Sequence, residues 1–317
     1  MATTVGSPAR RPQVPEPAAL DALVRRLRQM PDLQRRFAVT ATGARRQHGI
    51  RPELLAALTA AGVPYVGEGE DRLHDGYDLG NAALHLGLVS VQSRSMRSWA
   101  RALATAAPAY RLEVVANCPL PGHPGPCGYG VLTAGGRRAA EGGPVDARLA
   151  GLVVRPVREW PELPTKVREL LHEVGDIGFF LLPEAVRWDQ EFMWRTRMAD
   201  CGGAAAWLVS EGERRGLRTR FSFGLLVAQP YSTPHCWAEF LVDGVWVPVD
   251  PLLVRAMNDW GGLDARDVPP DGRPGALFHR LSDRFTKVVS HAGIWSQVSI
   301  PTERLDADPG ADGAGAG

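Results

Sequence analysis

Two apolar segments, His235-Cys236-Trp237-Ala238-Glu239-Phe240-Leu241-Val242 and Val245-Trp246-Val247-Pro248-Val249, are separated only by Asp243-Gly244. Asp-Gly between alternating apolar strands calls for a two-residue turn with positive φ at both central positions. Such a turn leaves one register. Val242 pairs with Val245, Glu239 with Pro248, Trp237 faces Asp250, and Leu252 falls opposite His235. Side chains alternate across a strand, so His235, Trp237, Glu239, Trp246 and Asp250 share one face. His235 and Asp250 are then diagonal neighbours, about 7–8 Å apart at Cα, within reach of an imidazole–carboxylate hydrogen bond. Cys236 points to the other face with Ala238 and Phe240 and reads as a packed core cysteine. Pro248 lands in a non-hydrogen-bonded pair, where its missing N–H costs nothing. A slip of one residue would break that and separate His235 from Asp250.

A second constraint lies upstream. Asp200-Cys201-Gly202-Gly203-Ala204-Ala205-Ala206-Trp207-Leu208 reads as a helix start, with Asp200 as N-cap and Gly216 as terminator. Gly202 and Gly203 are poor helix formers, which implies a close approach to the backbone there. Cys201, at the first turn, feels unpaired N–H groups and the positive end of the helix dipole, which favour the thiolate. A neighbouring imidazole can take its proton, and the same N–H groups can stabilise an oxyanion. Asp250 would orient His235. The Asp200 carboxylate opposes the thiolate unless it turns into its cap. From spacing alone, Cys201, His235 and Asp250 read equally as a catalytic trio or as three satisfied structural residues.

The chain has 317 residues, 44% of them apolar, and 36 basic against 35 acidic side chains. That excludes a mainly disordered chain and argues against a dedicated nucleic-acid binder. No run of about 18 apolar residues appears, so no membrane span is expected. No signal-peptide pattern opens the chain, so a cytoplasmic location is expected. Four cysteines in this length are no disulfide framework. Cys118, His123 and Cys127 lie in a Pro/Gly loop, but their spacing fits no familiar zinc pattern and a fourth ligand is missing. No metal or organic cofactor is therefore expected, and no acidic loop has calcium-ligand spacing.

Four segments follow: a disordered tail, 1–17; a mainly helical region with a few strands, 18–160; a catalytic domain, 161–303; and a disordered tail, 304–317. Helices are expected over 52–61, 77–88, 96–106, 164–174 and 183–198, the last two with Pro near their first positions. Leu20, Leu23, Val24 and Leu27 mark another helical face. Strands are expected over 111–116, 149–154 and 219–225.

Cys201 opening a helix, Gly216 with Arg220, His235-Cys236-Trp237-Ala238-Glu239, and Asp250-Pro251 occur in order and together resemble the transglutaminase-like superfamily of papain-fold cysteine enzymes. The resemblance covers about 179–253. Cys236 stands where a small residue is usual, and Asp and Ala precede Cys201 in place of a glycine-rich lead-in; neither removes a reacting group. The resemblance implies an α+β fold in which the helix bearing the cysteine packs on an antiparallel sheet, beside a largely helical N-terminal region. It implies a Cys201–His235–Asp250 triad and a thioester intermediate. The expected function is acyl transfer that forms an amide, in specialised metabolism, from an acyl donor (an amide or a carrier-protein thioester) to an amine acceptor. A protease or amidase using water with the same triad, and a non-catalytic scaffold, are the alternatives. Gln190 and Trp194 are candidate oxyanion donors. Trp237, Glu239 and Arg220 are candidate supports, the last two as a buried ion pair. Tyr231, Ser232 and Thr233 are candidates for the substrate pocket. Asp78, Asn81 and His85 read as polar positions of one helix, and Lys287 and His291 carry no expected role.

Overall fold

The computed structural model describes residues 16–306 apart from 106, 121, 265, 267 and 269–271. Most of both expected tails lies outside the described residues. Of the rest, Pro17 opens a helix and Arg304 and Leu305 end a strand. The chain divides into two compact units, 1–93 and 94–317. Among the described residues, no helix is long and apolar enough to cross a membrane.

The first unit holds α1 (Pro17–Leu27), β1 (Phe37–Val39), α2 (Ala41–His48), α3 (Pro52–Ala60), β2 (Tyr65–Val66), β3 (Leu73–Asp75) and α4 (Gly76–His85). The periodic apolar face of α1 is its buried face: Leu20, Leu23, Val24 and Leu27 are all covered. The three strands form a small antiparallel sheet in the order β1-β3-β2, which no helical periodicity could announce. Asp78 and Asn81 are not on a solvated face; both are buried. Asp78 accepts from Arg35 Nε at 2.7 Å, and Arg35 also donates to Asp32 and to the carbonyls of Met30 and Leu27. Burial lifts the Asp78 carboxyl to about 6, against the pull of Arg35.

Helix α5 (Val91–Ala104) spans the division. The second unit continues with β4 (Ala109–Ala116), β5 (Cys127–Thr133), β6 (Gly136–Gly142), β7 (Ala147–Val154), α6 (Thr165–Glu173), β8 (Gly178–Phe179), α7 (Glu184–Arg187), α8 (Gln190–Thr196), β9 (Met198–Ala199) and α9 (Cys201–Arg214). Then come β10 (Thr219–Leu226), β11 (Thr233–Val242), β12 (Val245–Val249), α10 (Pro251–Ala256), β13 (Phe278–Ser282), β14 (Val289–His291), β15 (Ile294–Trp295), β16 (Val298–Ser299) and β17 (Thr302–Leu305). The helix expected over 183–198 is two helices. Asp189 starts a new one by accepting from the Phe192 amide, so the chain bends at Trp188-Asp189.

The site is carried by an antiparallel sheet in the order β12-β11-β10-β13. Ala204, Trp207 and Leu208 of α9 share one core with Ala238, Phe240 and Val242 of β11 and Val247 and Val249 of β12. This is the α+β arrangement read from the sequence, with the cysteine-bearing helix on an antiparallel sheet. A second core joins Cys236, Phe223 and Leu225 to the strands on either side of the Pro/Gly loop. The β11–β12 register is the expected one, from Val242↔Val245 to Ala238↔Val249 with Glu239 opposite Pro248. Asp243 and Gly244 have φ of 49° and 81°, as that turn requires. The ladder stops at Val249. Leu252 does not continue the strand opposite His235, because Asp250 caps α10 and Leu252 lies within that helix.

Removing one partner of a buried ion pair leaves an uncompensated charge, at a cost of about 3–5 kcal/mol. Arg35→Ala is expected to destabilise the protein by that amount, read from urea unfolding of the full chain.

Candidate active site

Three elements end at one place: the start of α9, the start of β11 and the junction of β12 with α10. The Cys201 thiol and the His235 imidazole shift each other's protonation, and His235 Nε2 lies 2.7 Å from Asp250 Oδ2. That bond leaves Nδ1 as the nitrogen for the sulfur. Asp250 Oδ1 accepts from the Leu253 amide at 2.8 Å. One carboxylate thus starts α10 and orients the imidazole, and both His235 and Asp250 are buried.

Electrostatics favour a thiolate–imidazolium pair. The Cys201 thiol is held well below the usual cysteine value, first by a hydrogen bond with Cys236 and then, against the effect of burial, by His235. Burial works against a charged imidazole, yet the Cys201 thiolate and Asp250 push His235 up to about 10. Cys236 is buried in the core as expected. Its contact with the Cys201 sulfur was not legible in the hairpin register, because it depends on where the start of α9 meets the sheet. Donating to the thiolate drives the Cys236 thiol strongly upward in turn.

The Asp200 carboxylate beside the thiol is restrained from two sides. Its Oδ1 accepts from the Gly202 and Gly203 amides at 3.0 and 3.2 Å, and its Oδ2 accepts from Arg187 Nε at 2.5 Å. Burial, helped by the Cys201 charge, raises Asp200 to about 7, while Arg187 and the Gly203 amide resist. Arg187 escaped the sequence reading, since nothing local ties the end of α7 to a cap 13 residues later. The two glycines hold its trace. A Cβ on Gly202 would lie 2.7 Å from Arg187 Cδ and 3.0 Å from Trp188, and one on Gly203 would lie 2.6 Å from the Arg187 carbonyl.

On the other side of His235 sits Phe278, also missed. It stacks on the imidazole at 5.4 Å and on Trp237 at 4.5 Å between centroids. Gly224, opposite His235 on β10, permits this. A Cβ there would lie 2.0 Å from the His279 carbonyl and keep β13 away. Trp237 Nε1 donates to Glu239 Oε1 at 2.8 Å, and Arg220 Nε donates to Glu239 Oε2 at 2.6 Å. The Arg220 guanidinium lies over Trp246. Arg220, Trp237 and Glu239 therefore brace the sheet that presents His235.

Other candidates lie elsewhere. Gln190 Nε2 donates to Ser210, nine residues along α9 from Cys201 and so about 13 Å down its axis. Trp194 packs edge-on against Trp207, six residues along the same helix. Neither meets the sulfur, because α8 lies along the body of α9 and not at its start. Asp200 also takes two of the amides that the sequence offered to an oxyanion. Tyr231 is exposed; Ser232 is buried and bonded to Thr302 and Ile300; Thr233 pairs with Leu226. Tyr231 and Ser232 tie the start of β11 to the C-terminal segment, and Thr233 belongs to the β10–β11 ladder.

Residues 165–251, which include Cys201, His235 and Asp250, match the transglutaminase-like superfamily. No curated protein matches the chain. Among solved structures, a candidate cysteine protease of Cytophaga hutchinsonii aligns at 10% identity over 64% of this chain and 93% of its own, with a TM-score of 0.33. A likeness that slight carries no inference. By the family match, residues 165–251 form a transglutaminase-like domain.

Proposed function

We propose that this enzyme transfers an acyl group through a thioester on Cys201 to an amine, forming an amide. The observation that carries the reading is the buried His235–Asp250 hydrogen bond, with an imidazole that is electrostatically coupled to the Cys201 thiol. The Cys201 thiolate attacks the carbonyl carbon of an amide or carrier-protein thioester. The Cys201 amide, which the Asp200 cap does not claim, is placed to donate to the oxyanion as its charge develops. His235 gives its Nδ1 proton to the departing amine or thiol, leaving the acyl thioester. An incoming amine loses its proton to Nδ1 as its nitrogen attacks, the amide departs, and thiolate and imidazolium are restored. Asp250 keeps Nε2 protonated throughout and balances the imidazolium charge. Phe278 and Trp237, stacked beside His235, screen it from water, which favours an amine over hydrolysis.

Incubation with an acyl thioester and a primary amine is expected to give amide product, with an acyl adduct on Cys201 seen by intact-mass spectrometry. Free acid as the sole product would establish hydrolysis instead. Full activity in Cys201→Ala would exclude the covalent route. Loss of general acid–base catalysis should cost His235→Ala about 10²–10⁴ in kcat.

The pH dependence follows from the signs. The thiol is depressed well below the usual cysteine value and the imidazole raised, so the ion pair spans the interval between the two. It is lost as pH rises through about 10 and His235 deprotonates. Turnover is expected to fall on that alkaline limb. In Cys236→Ala the thiolate loses a donor, so the pH at which iodoacetamide labels Cys201 at half its maximal rate should move upward. An unchanged midpoint would show that the Cys236 contact is idle.

A further inference from the structure

The Pro/Gly loop between β4 and β5 closes on itself in a way its spacing did not announce. One donor atom each from Cys118, His123 and Cys127 lies within 4.8 Å of the others. Two sulfurs around a four-coordinate zinc stand about 3.8 Å apart, so only a small adjustment separates this cluster from a coordination shell. We propose that Cys118, His123 and Cys127 bind a zinc ion, with a water molecule as fourth ligand.

The tautomer of His123 supports this. Its Nδ1 lies 3.2 Å from the Pro124 carbonyl, an acceptor only, so Nδ1 carries the proton. The lone pair is then on Nε2, which lies 3.1 Å from Cys127 Sγ. An imidazole fixed by a backbone carbonyl at one nitrogen and aimed by the other is the usual arrangement of a metal-ligating histidine. Cys118 Sγ donates to the Leu120 carbonyl at 3.3 Å and accepts from the Leu120 amide at 3.4 Å; on metal binding the thiol proton leaves and the amide remains as a donor to the sulfur. The frame is held independently of any ion. Cys127 is buried at the first position of β5 and pairs with Gly142, and the Cys118 amide donates to the Pro144 carbonyl at 2.8 Å.

His291 closes one side. Its ring stacks on His123 at 4.8 Å and 23°, while its Nδ1 bonds the Gly128 carbonyl at 2.7 Å. Thiolate and imidazole donors select zinc over the hard cations magnesium and calcium. Binding releases two thiol protons to solvent, one from each cysteine, and leaves a shell whose charges cancel. No residue of the cluster takes part in the chemistry at Cys201, so the ion would fix the loop and serve no step of acyl transfer.

Cobalt(II) titration of the reduced, chelator-treated full chain tests this. The Cys201→Ala variant is the host, because the nucleophile with His235 and Cys236 is a rival set of ligands. One cobalt per chain is expected, with thiolate charge-transfer and four-coordinate d–d absorption that zinc abolishes. Placed in that host, Cys118→Ser and His123→Ala should each weaken binding about 100-fold or more, since loss of a ligand exceeds the 10–100-fold effect of a second-shell change. His123 and Cys118 are not fully buried, and unchanged circular dichroism would show that both variants fold. No absorption with both thiols reduced would overturn the proposal. So would undiminished binding in both variants, or binding seen only when Cys201 is present.

Discussion

The Asp250 carboxylate is the joint on which the site turns. One oxygen accepts the Leu253 amide in the first turn of α10 and the other holds His235, so a helix cap and an orienting group are the same side chain in the same rotamer. A buried carboxylate with both oxygens engaged has little freedom to wander, which fixes the plane of the imidazole and directs Nδ1 at the sulfur. The hairpin places that carboxylate. Its turn admits one register, and the register sets the end of β12 next to the start of β11.

The second organising interaction is the treatment of a negative charge beside a thiolate. An N-cap aspartate directly before the nucleophile looks self-defeating, since like charges at that distance oppose one another. Two backbone amides and the Arg187 guanidinium lessen the difficulty by engaging both oxygens of the carboxylate. Room for Arg187 comes from glycine at both positions after Cys201. Donors on the sulfur side come from His235 and Cys236. The thiolate is thus stabilised by local dipoles and one full positive charge, with the competing carboxylate partly offset by Arg187 and two amides.

How much of this the sequence reveals depends on the range over which each interaction acts. The hairpin, its register, the Asp200 cap, the helix start at Cys201 and the adjacency of His235 and Asp250 follow from residues close in the chain or from turn geometry. Arg187, Phe278 and the sulfur contact of Cys236 bring together elements whose meeting is decided by packing, and no local pattern encodes it. The misplacement of Leu252 has the same character: a strand was extended by alternation where an Asp-Pro pair starts a helix. The Pro/Gly loop shows the limit from the other side. Spacing compares ligands with known patterns, whereas convergence of Cys118, His123 and Cys127 arises from strand pairing on both flanks.

Gly224 carries a consequence for how such a site evolves. Because any side chain there would collide with the β13 backbone, that one position decides whether an aromatic ring can rest on His235. A lineage that gained an alanine at 224 would face a wetter imidazole before any reacting group had changed. Preference between water and an amine would then drift through a position that touches no substrate, and the origin of such a change would be invisible to anyone inspecting the nucleophile and its base alone.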